Sequence, residues 1–340
     1  MTTRPKTRLR ALAAIAAAGL SMSAAALPAH PADPPRKKVA ILVFEGVEII
    51  DYTGPYEVFG TDKYDVYLVA ASKAPVTTNM GMSVTPKYSY DDAPQADVLV
   101  IPGGFTPKIR ADVRTLDWIR ETTAHDQITM SVCNGAFILA ATGLLDGLQA
   151  TTTATNLEVM ASRWPKVKVV GDQRVVDNGK LITTGGLSAG IDGALHVVER
   201  LDGLGQAQSV ALGLEYDWRP KGGFVRARLA DVLIPDLQKA LPGRYGLVST
   251  EGDRTRWEQV QDVASPAGPD GLTDEIGKTL VAEGKWTLVR KHALPAGGGL
   301  ASDWKFAGFD REPWRGTLTV VRAKDRPDAY KVRLVIARAA

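Results

Sequence analysis

Runs with apolar residues alternate with helix-like segments between residues 37 and 201. The first run is basic and then continuously apolar, which suits a strand buried on both faces of a parallel sheet, and the others repeat the pattern with polar residues interspersed. The runs read KKVAILVF (37–44), YDVYLVAAS (64–72), ADVLVIPGG (96–104), QITMSVCNG (127–135) and GKLITTGG (179–186). The segments between them have helical spacing: DYTGPYEVFG (51–60), TLDWIRETTAH (115–125), AFILAATGLL (136–145) and SAGIDGALHVVERL (188–201). This alternation predicts an α/β fold with a doubly wound, mostly parallel sheet.

The pattern changes near Pro220, where EYDWRPKGG (215–223) indicates a boundary between one domain at 36–220 and a second at 221–340. The second domain is predicted as a smaller α+β unit of unknown role. Its predicted helices are VRARLADVLIPDLQKAL (225–241), interrupted at Pro235, and LTDEIGKTLVAEG (272–284), with Thr273 as N-cap. Its predicted strands are RTRWEQVQDV (254–263), KWTLVRKHA (285–293), WRGTLTVVRA (314–323) and YKVRLVIARA (330–339), with a flexible loop at PAGGGLAS (295–302). Its tryptophans at 286, 304 and 314 fit either a small β core or a binding face.

The first 35 residues have the order of an export signal followed by a linker. The basic stretch MTTRPKTRLR precedes the short apolar stretch ALAAIAAAGL, and small residues and prolines follow. Cleavage after Ala26 or Ala32 fits this order, and an uncleaved membrane anchor is the alternative. We therefore expect a periplasmic or extracellular protein without stable membrane insertion after cleavage.

Composition narrows the classes of function. Hydrophobic residues make up 45% of the chain, which suits a sizeable core, and the formal net charge of +3 gives no electrostatic case for nucleic-acid binding. With one cysteine and four scattered histidines, the chain has no spacing typical of a metal site. The glycines of TTGGLSAGIDGAL match neither GxGxxG nor a P-loop, so no cofactor is predicted.

The candidate chemistry centres on Cys133, the only cysteine of the chain. It lies between a predicted strand and a predicted helix, which is the arrangement of a nucleophile elbow. A helix N-terminus directed at the thiol would favour the thiolate, and the backbone amides of Gly103, Gly104 and Asn134 would stabilise a developing negative charge. The alternative is a packed thiol, since free cysteine is among the most buried residue types.

Five segments together resemble the ThiJ/PfpI superfamily, which has a flavodoxin-like, class I glutamine amidotransferase-like fold. They are VAILVFEGVEIIDYTGPYEVFG, ADVLVIPGG, SVCNGAFILAATGLLDGLQATT, ITTGGLSAGIDGALHVVERL and EYDWRP, covering about 37–220. The resemblance is strongest to the isonitrile hydratase-like branch, which also supplies the N-terminal half of some AraC-type regulators. It implies that Cys133 is the nucleophile, that Asp51 contacts it, and that the protein forms a homodimer. From the residues alone, Asp51 also fits a helix N-cap.

Two departures bear on the reaction. Asn134 stands where the hydratase-like branch has Thr after the cysteine, and Thr153 stands where many relatives have His. None of the other histidines is an obvious substitute, and the nearby acids Glu45 and Glu48 are expected to be solvated loop carboxylates. A Cys–Asp site without histidine is compatible with hydratase-like chemistry.

The leading functional prediction is an exported, cysteine-dependent hydratase or hydrolase of a small molecule. The alternative is a ligand-binding or redox-sensing protein that uses Cys133 without catalysis. Two features disagree with a role as a transcription regulator. The C-terminal part is predicted as strands, where paired helix-turn-helix segments would be needed, and the chain carries a predicted export signal.

Overall fold

The computed structural model describes residues 35–220, 224–237, 241, 245–295, 299–308, 311–323, 326 and 328–339. The predicted signal peptide and its cleavage sites lie outside these described residues. Residues 36–340 form one compact unit that contains two separate hydrophobic cores. Within the described part of the chain, no helix has both the length and the apolar character needed to cross a membrane.

The first core is built on a seven-stranded sheet, as the alternating pattern predicts. Its strands are β1 (Lys37–Leu42), β2 (Tyr64–Ala70), β5 (Tyr88–Ser89), β6 (Val98–Ile101), β7 (Ile128–Ser131), β10 (Val175–Asp177) and β11 (Leu181–Thr184). Their order is β10-β11-β7-β6-β1-β2-β5, and every pair is parallel except the β10–β11 pair. Two small pairs lie outside this sheet: β3 (Val76–Thr77) with β4 (Ser83–Val84), and β8 (Gln149–Ala150) with β9 (Lys168–Val169).

Strands β6, β7 and β11 are buried along their whole length, because helices cover the sheet on both faces. The helices are α1 (Ile49–Phe59), α2 (Val113–His125), α3 (Gly135–Ala141), α4 (Leu157–Arg163), α5 (Ala189–Asp202) and α6 (Leu204–Gly213). Helix α5 packs against α1 and α6, whereas α2 packs against α3. The fold is therefore the predicted doubly wound, flavodoxin-like α/β arrangement.

The order of the strands reverses at β1. The chain runs outward from β1 to β2 and later returns to β6 on the other side of β1. In open parallel sheets, ligand sites form at the carboxyl ends of strands beside such a reversal. The turns after β1, β6, β7 and β11 all lie at this edge of the sheet.

In the described part of the chain, the second core is built on a six-stranded antiparallel sheet and the helix that follows its second strand. The elements are β12 (Tyr245–Gly252), β13 (Arg256–Ala264), α7 (Gly268–Ala282), β14 (Thr287–Ala293), β15 (Gly299–Ala307), β16 (Pro313–Arg322) and β17 (Ala329–Arg338). The strand order is β12-β13-β17-β16-β15-β14. Strands β16 and β17 bury alternate residues, so one face of the sheet packs against α7 and the other faces solvent.

Several sequence predictions for this second part are wrong in detail. The helix predicted from residue 225 to the interruption at Pro235 is two short 3₁₀ turns, Arg226–Arg228 and Ala230–Leu233, whereas residues 238–240 of the part predicted after Pro235 lie outside the described residues. Helix α7 begins at Gly268, and the Thr273 hydroxyl donates inside it to the Pro269 carbonyl (2.7 Å), so Thr273 is not its N-cap. The loop predicted at 295–302 ends earlier, because strand β15 begins at Gly299.

The three tryptophans form part of the second core. Trp286, Trp304 and Trp314 are each at most 4% exposed. The ring of Trp286 stacks on Phe306 with centroids 4.1 Å apart, and Phe306 in turn lies 6.2 Å from Trp314. These contacts support the interpretation as a β core and exclude an exposed tryptophan face.

Both outer strands of this sheet carry an irregularity. The register of β12 shifts between Leu247 and Ser249, and that of β14 shifts between Leu288 and Arg290. In each case the extra residue is an exposed valine, Val248 or Val289. One added residue on one strand is the pattern of a β-bulge, which bends the strand and interrupts its ladder.

Candidate active site

Cys133 lies on a tight turn between β7 and α3, as the sequence predicts. Its backbone has φ 57°, a left-handed conformation that non-glycine residues seldom adopt and that costs about 1–3 kcal/mol. The turn is held on both sides, because the Cys133 amide donates to the Gly185 carbonyl (3.0 Å) and the Thr152 hydroxyl donates to the Cys133 carbonyl (2.8 Å). Gly135 is required next to it, since a β-carbon there would lie 2.1 Å from the Ile101 carbonyl oxygen.

Asp51 is fully buried in the first turn of α1 and contacts the Cys133 thiol. Its carboxylate accepts one hydrogen bond from the Gly103 amide and one from the Leu187 amide, each 3.0 Å long. These donors follow strands β6 and β11, so three separate segments fix the carboxyl group beside the sulfur. The N-cap alternative for Asp51 is wrong, because Glu48 holds the N-cap position and Asp51 bonds outside its own helix.

The amides of Gly103 and Gly104 already have partners. Gly103 donates to Asp51, and Gly104 donates to the side-chain oxygen of Asn134 (2.8 Å). The Asn134 side-chain amide also donates back to the Gly104 carbonyl (2.8 Å), so Asn134 joins the turn after β7 to the turn after β6. The predicted use of both glycine amides as oxyanion donors would therefore require these bonds to exchange. The Asn134 backbone amide is directed at the Cys133 sulfur.

Thr153 is a site residue that the sequence reasoning noted only for the histidine it replaces. Its hydroxyl hydrogen-bonds to the Cys133 sulfur and helps to stabilise the thiolate. Gly186 closes the same side, because a β-carbon there would lie 3.2 Å from Sγ of Cys133 and 2.2 Å from Oγ1 of Thr153. In the sequence, the position of this threonine directly after the ATT motif, where many relatives have His, is the signal that could have pointed to the contact.

Burial dominates the electrostatics of the pair. It raises the pKa of Asp51 to about 7, with the nearby charge of Glu48 adding to the rise and the two backbone hydrogen bonds opposing it. Burial, followed by the charge of Asp51, raises the pKa of Cys133 to about 12. Burial therefore opposes the thiolate that the N-terminus of the seven-residue α3 is expected to favour.

The remaining acids and histidines lie apart from the thiol. Glu45 is exposed and accepts from the Thr77 amide (3.2 Å), whereas Glu48 pairs with Asn79. His196 pairs with Asp177 (2.8 Å), away from the thiol. Among the described residues, no cluster of three or more His, Cys, Asp or Glu side chains could hold a metal ion.

The fold and the turn geometry define a flavodoxin-like protein that carries a cysteine on a nucleophile elbow with a buried aspartate beside it. Residues 37–200 match the DJ-1/PfpI family, and the chain belongs to that family.

Relatives of known sequence and structure agree with this assignment. The chain is 37% identical to the isonitrile hydratase of Pseudomonas putida over 182 residues, which are 53% of this chain and 78% of that protein. It is 27% identical over 145 residues to the HTH-type transcriptional regulator CdhR of Pseudomonas aeruginosa, covering 43% of each. The crystal structure of a ThiJ/PfpI family protein from Pseudomonas syringae superposes with TM-score 0.51 at 31% identity, over 59% of this chain and 86% of that one.

Proposed function

We propose that this protein is a cysteine-dependent hydratase of small molecules, of the isonitrile hydratase type. The observation that carries the proposal is the buried Cys133–Asp51 pair, in which the carboxyl group titrates near neutral pH. A base with a pKa near the working pH is best suited to accept and return a proton. The similarity to the Pseudomonas putida isonitrile hydratase supports the choice of substrate class.

The proposed reaction uses one proton that moves between the two side chains. The Cys133 sulfur forms a bond to the terminal carbon of the isonitrile, while the thiol proton passes to the Asp51 carboxylate and then to that carbon. Water next adds to the resulting thioimidate carbon, and one of its protons passes through Asp51 to the substrate nitrogen. The C–S bond then breaks as the new hydroxyl becomes a carbonyl, its proton passes through Asp51 to the sulfur, and an N-substituted formamide leaves.

The hydrogen-bond donors around the sulfur fit a reaction in which negative charge develops on the sulfur. The Thr153 hydroxyl and the Asn134 backbone amide both point to the sulfur, whereas the glycine amides are engaged. An acyl-transfer reaction would instead need free donors for a carbonyl oxygen. This difference favours hydration of an isonitrile over peptide hydrolysis.

The direct test is incubation of the purified protein with n-butyl isonitrile, with N-butylformamide measured by mass spectrometry. We expect formamide from the wild type and none from Cys133→Ala, and we expect Asp51→Asn to lower kcat by at least about a hundredfold, as general acid–base catalysis predicts. Asp126→Asn is the matched control. Asp126 is also a buried aspartate with a raised pKa, about 6, but it lies at the opposite end of β7. Full turnover by Cys133→Ala would refute the proposal.

We also propose that the protein acts outside the cytoplasm. The basic, apolar and small-residue order of residues 1–35 supports this. N-terminal sequencing of the mature protein from a periplasmic fraction should give a start after Ala26 or Ala32. A full-length chain confined to the cytoplasm would contradict it.

A redox-sensing role is the second candidate, and the engagement of the Gly103 and Gly104 amides favours it over a typical acyl-transfer enzyme. Peroxide would convert the Cys133 thiol to a sulfenic acid and release water. Stable addition of one or two oxygen atoms at Cys133, found by intact-mass measurement without any isonitrile turnover, would support this role instead.

A further inference from the structure

A cavity of about 270 Å³ lies beside the candidate site and is partly walled by the C-terminal part of the chain. By volume it has room for about nine water molecules, or a small organic molecule. Its walls come from residues 151–155, from the segments near Gly171 and Gly185, and from residues 224–227. The last segment lies beyond the part of the chain that matches the DJ-1/PfpI family.

The cavity and the thiol share a thin wall. Thr153 and Gly186 both line the cavity, and both also contact or closely approach Sγ of Cys133. Cys133 itself is not a lining residue. A molecule bound in the cavity would therefore lie next to the Thr153 side chain, whose hydroxyl also contacts the sulfur.

The residues that line the cavity are rich in hydrogen-bond donors and include no carboxylate. The two charged lining residues are arginines. Arg174 is held by Asp192 and by the Ser188 hydroxyl (2.9 Å), and its guanidinium carbon lies 5.3 Å from the centroid of the Phe224 ring. Arg226 is held by a two-pronged ion pair to Asp231, with nitrogen–oxygen distances of 2.7 Å and 2.6 Å.

The acidic partners of both arginines are outside the lining, so the aspartates orient the guanidinium groups without contributing acceptors to the cavity. Each guanidinium has five N–H groups and keeps further donors. Helix α5 also begins at the cavity, since Ser188 and Ala189 line it, and the positive end of its dipole favours a negative charge there.

We propose that this cavity is a subsite for the carboxylate of a small-molecule substrate, and that residues 224–227 form the wall that brings Arg226 to it. The proposal rests on the proposed function, because it assigns the substrate class of the Cys133 site: small molecules that carry a carboxylate as well as the reacting group. It gives the C-terminal part of the chain a role in substrate selection.

The first test measures binding in the full chain with Cys133→Ala, using benzoate and its neutral isostere benzamide as probes. We expect benzoate to bind about fivefold or more tightly than benzamide, as one partly screened charge predicts. Arg226→Gln should remove most of that preference. The matched control is Arg228→Gln, two residues away, since Arg228 pairs with Asp172 (3.4 Å) and does not line the cavity. Equal binding of the two probes, or equal losses in both variants with circular dichroism unchanged, would overturn the proposal.

The second test links the cavity to the thiol. Saturating benzoate should slow the alkylation of Cys133 in the wild type by iodoacetamide severalfold, whereas benzamide at the same concentration should not. Benzoate that binds without slowing alkylation would overturn the assignment as a substrate subsite. If iodoacetamide never alkylates Cys133, the nucleophile proposal fails, while the binding result still decides whether the cavity selects carboxylates.

Discussion

The shared proton of Cys133 and Asp51 gives a specific pH dependence for the reactivity of the thiol. The pKa of Asp51 is about 7 and that of Cys133 about 12, so the pair holds a single proton between these values. In that range the reactive form, with the proton on Asp51 and the charge on sulfur, is a constant fraction of the protein. The alkylation rate should therefore level off just above pH 7, until at higher pH the form that has lost both protons, which also carries a thiolate, dominates the rate.

Below pH 7 the pair takes up a second proton and the rate should fall tenfold per pH unit. At about pH 5 it should be about one hundredth of the level value, whereas an ordinary aspartate, with a pKa near 3.9, would leave it unchanged. In Asp51→Asn the second group is lost, and the rate should instead rise tenfold per unit over the whole range, because only hydroxide then removes the thiol proton.

The assay is the rate of iodoacetamide alkylation at the single cysteine, followed by intact mass between about pH 5 and 9. Asp126→Asn should keep the break near pH 7, since that carboxyl group does not contact the thiol. A wild-type rate that rises tenfold per unit through pH 9 without a break would refute the reasoning. So would a break that survives in Asp51→Asn.

Three further changes follow from the same contacts. Thr153→Val removes a hydrogen bond that stabilises the thiolate and should lower the alkylation rate just above pH 7 severalfold, whereas Thr155→Val should not. Equal rates in the two variants would contradict the contact between Thr153 and the Cys133 sulfur. Asn134→Ala leaves the Gly104 amide and carbonyl without side-chain partners and should lower the free energy of unfolding in urea by about 1–3 kcal/mol, with no change arguing against the bonds. Gly135→Ala should prevent stable folding, because its β-carbon would meet the Ile101 carbonyl. The control Gly205→Ala in α6 has open space around it and should be neutral or stabilise the protein by up to about 1 kcal/mol in thermal unfolding. A stable Gly135→Ala protein would refute the close packing.

The buried Asp51 also has a cost in stability, with a sign set by its raised pKa. The folded protein prefers the protonated carboxyl group. The stabilising contribution of Asp51 to folding is therefore present at low pH and is lost as pH rises through about 7. This cost at neutral pH fits a group that is kept for its chemistry.

The α/β part of the fold follows from the sequence because parallel strands buried on both faces leave a simple pattern. Strands β6, β7 and β11 are buried along their whole length and β1 over its last four residues, and the turn that follows each is marked by glycine or by a short polar sequence. The prediction that Cys133 and Asp51 meet came from family resemblance, because their sequence separation gives no physical sign of contact.

The C-terminal sheet was harder to predict for physical reasons. Strand β12 carries glycine and a bulge, so its period of two is broken, and β15 starts within a glycine-rich stretch that resembles a loop. The engagement of the Gly104 amide by Asn134 was also missed. A side chain that bridges two turns depends on their spatial separation, which the local sequence does not encode.

The bulges at Val248 and Val289 have a consequence for the protein in a crowded compartment. The outer strands of an open sheet present unpaired N–H and C=O groups that can recruit a strand from another molecule and start aggregation. Here both outer strands are apolar in places and well exposed, and the one interruption on each lies at an exposed valine. The register break at each edge disfavours an incoming strand that would pair along the full length of β12 or β14.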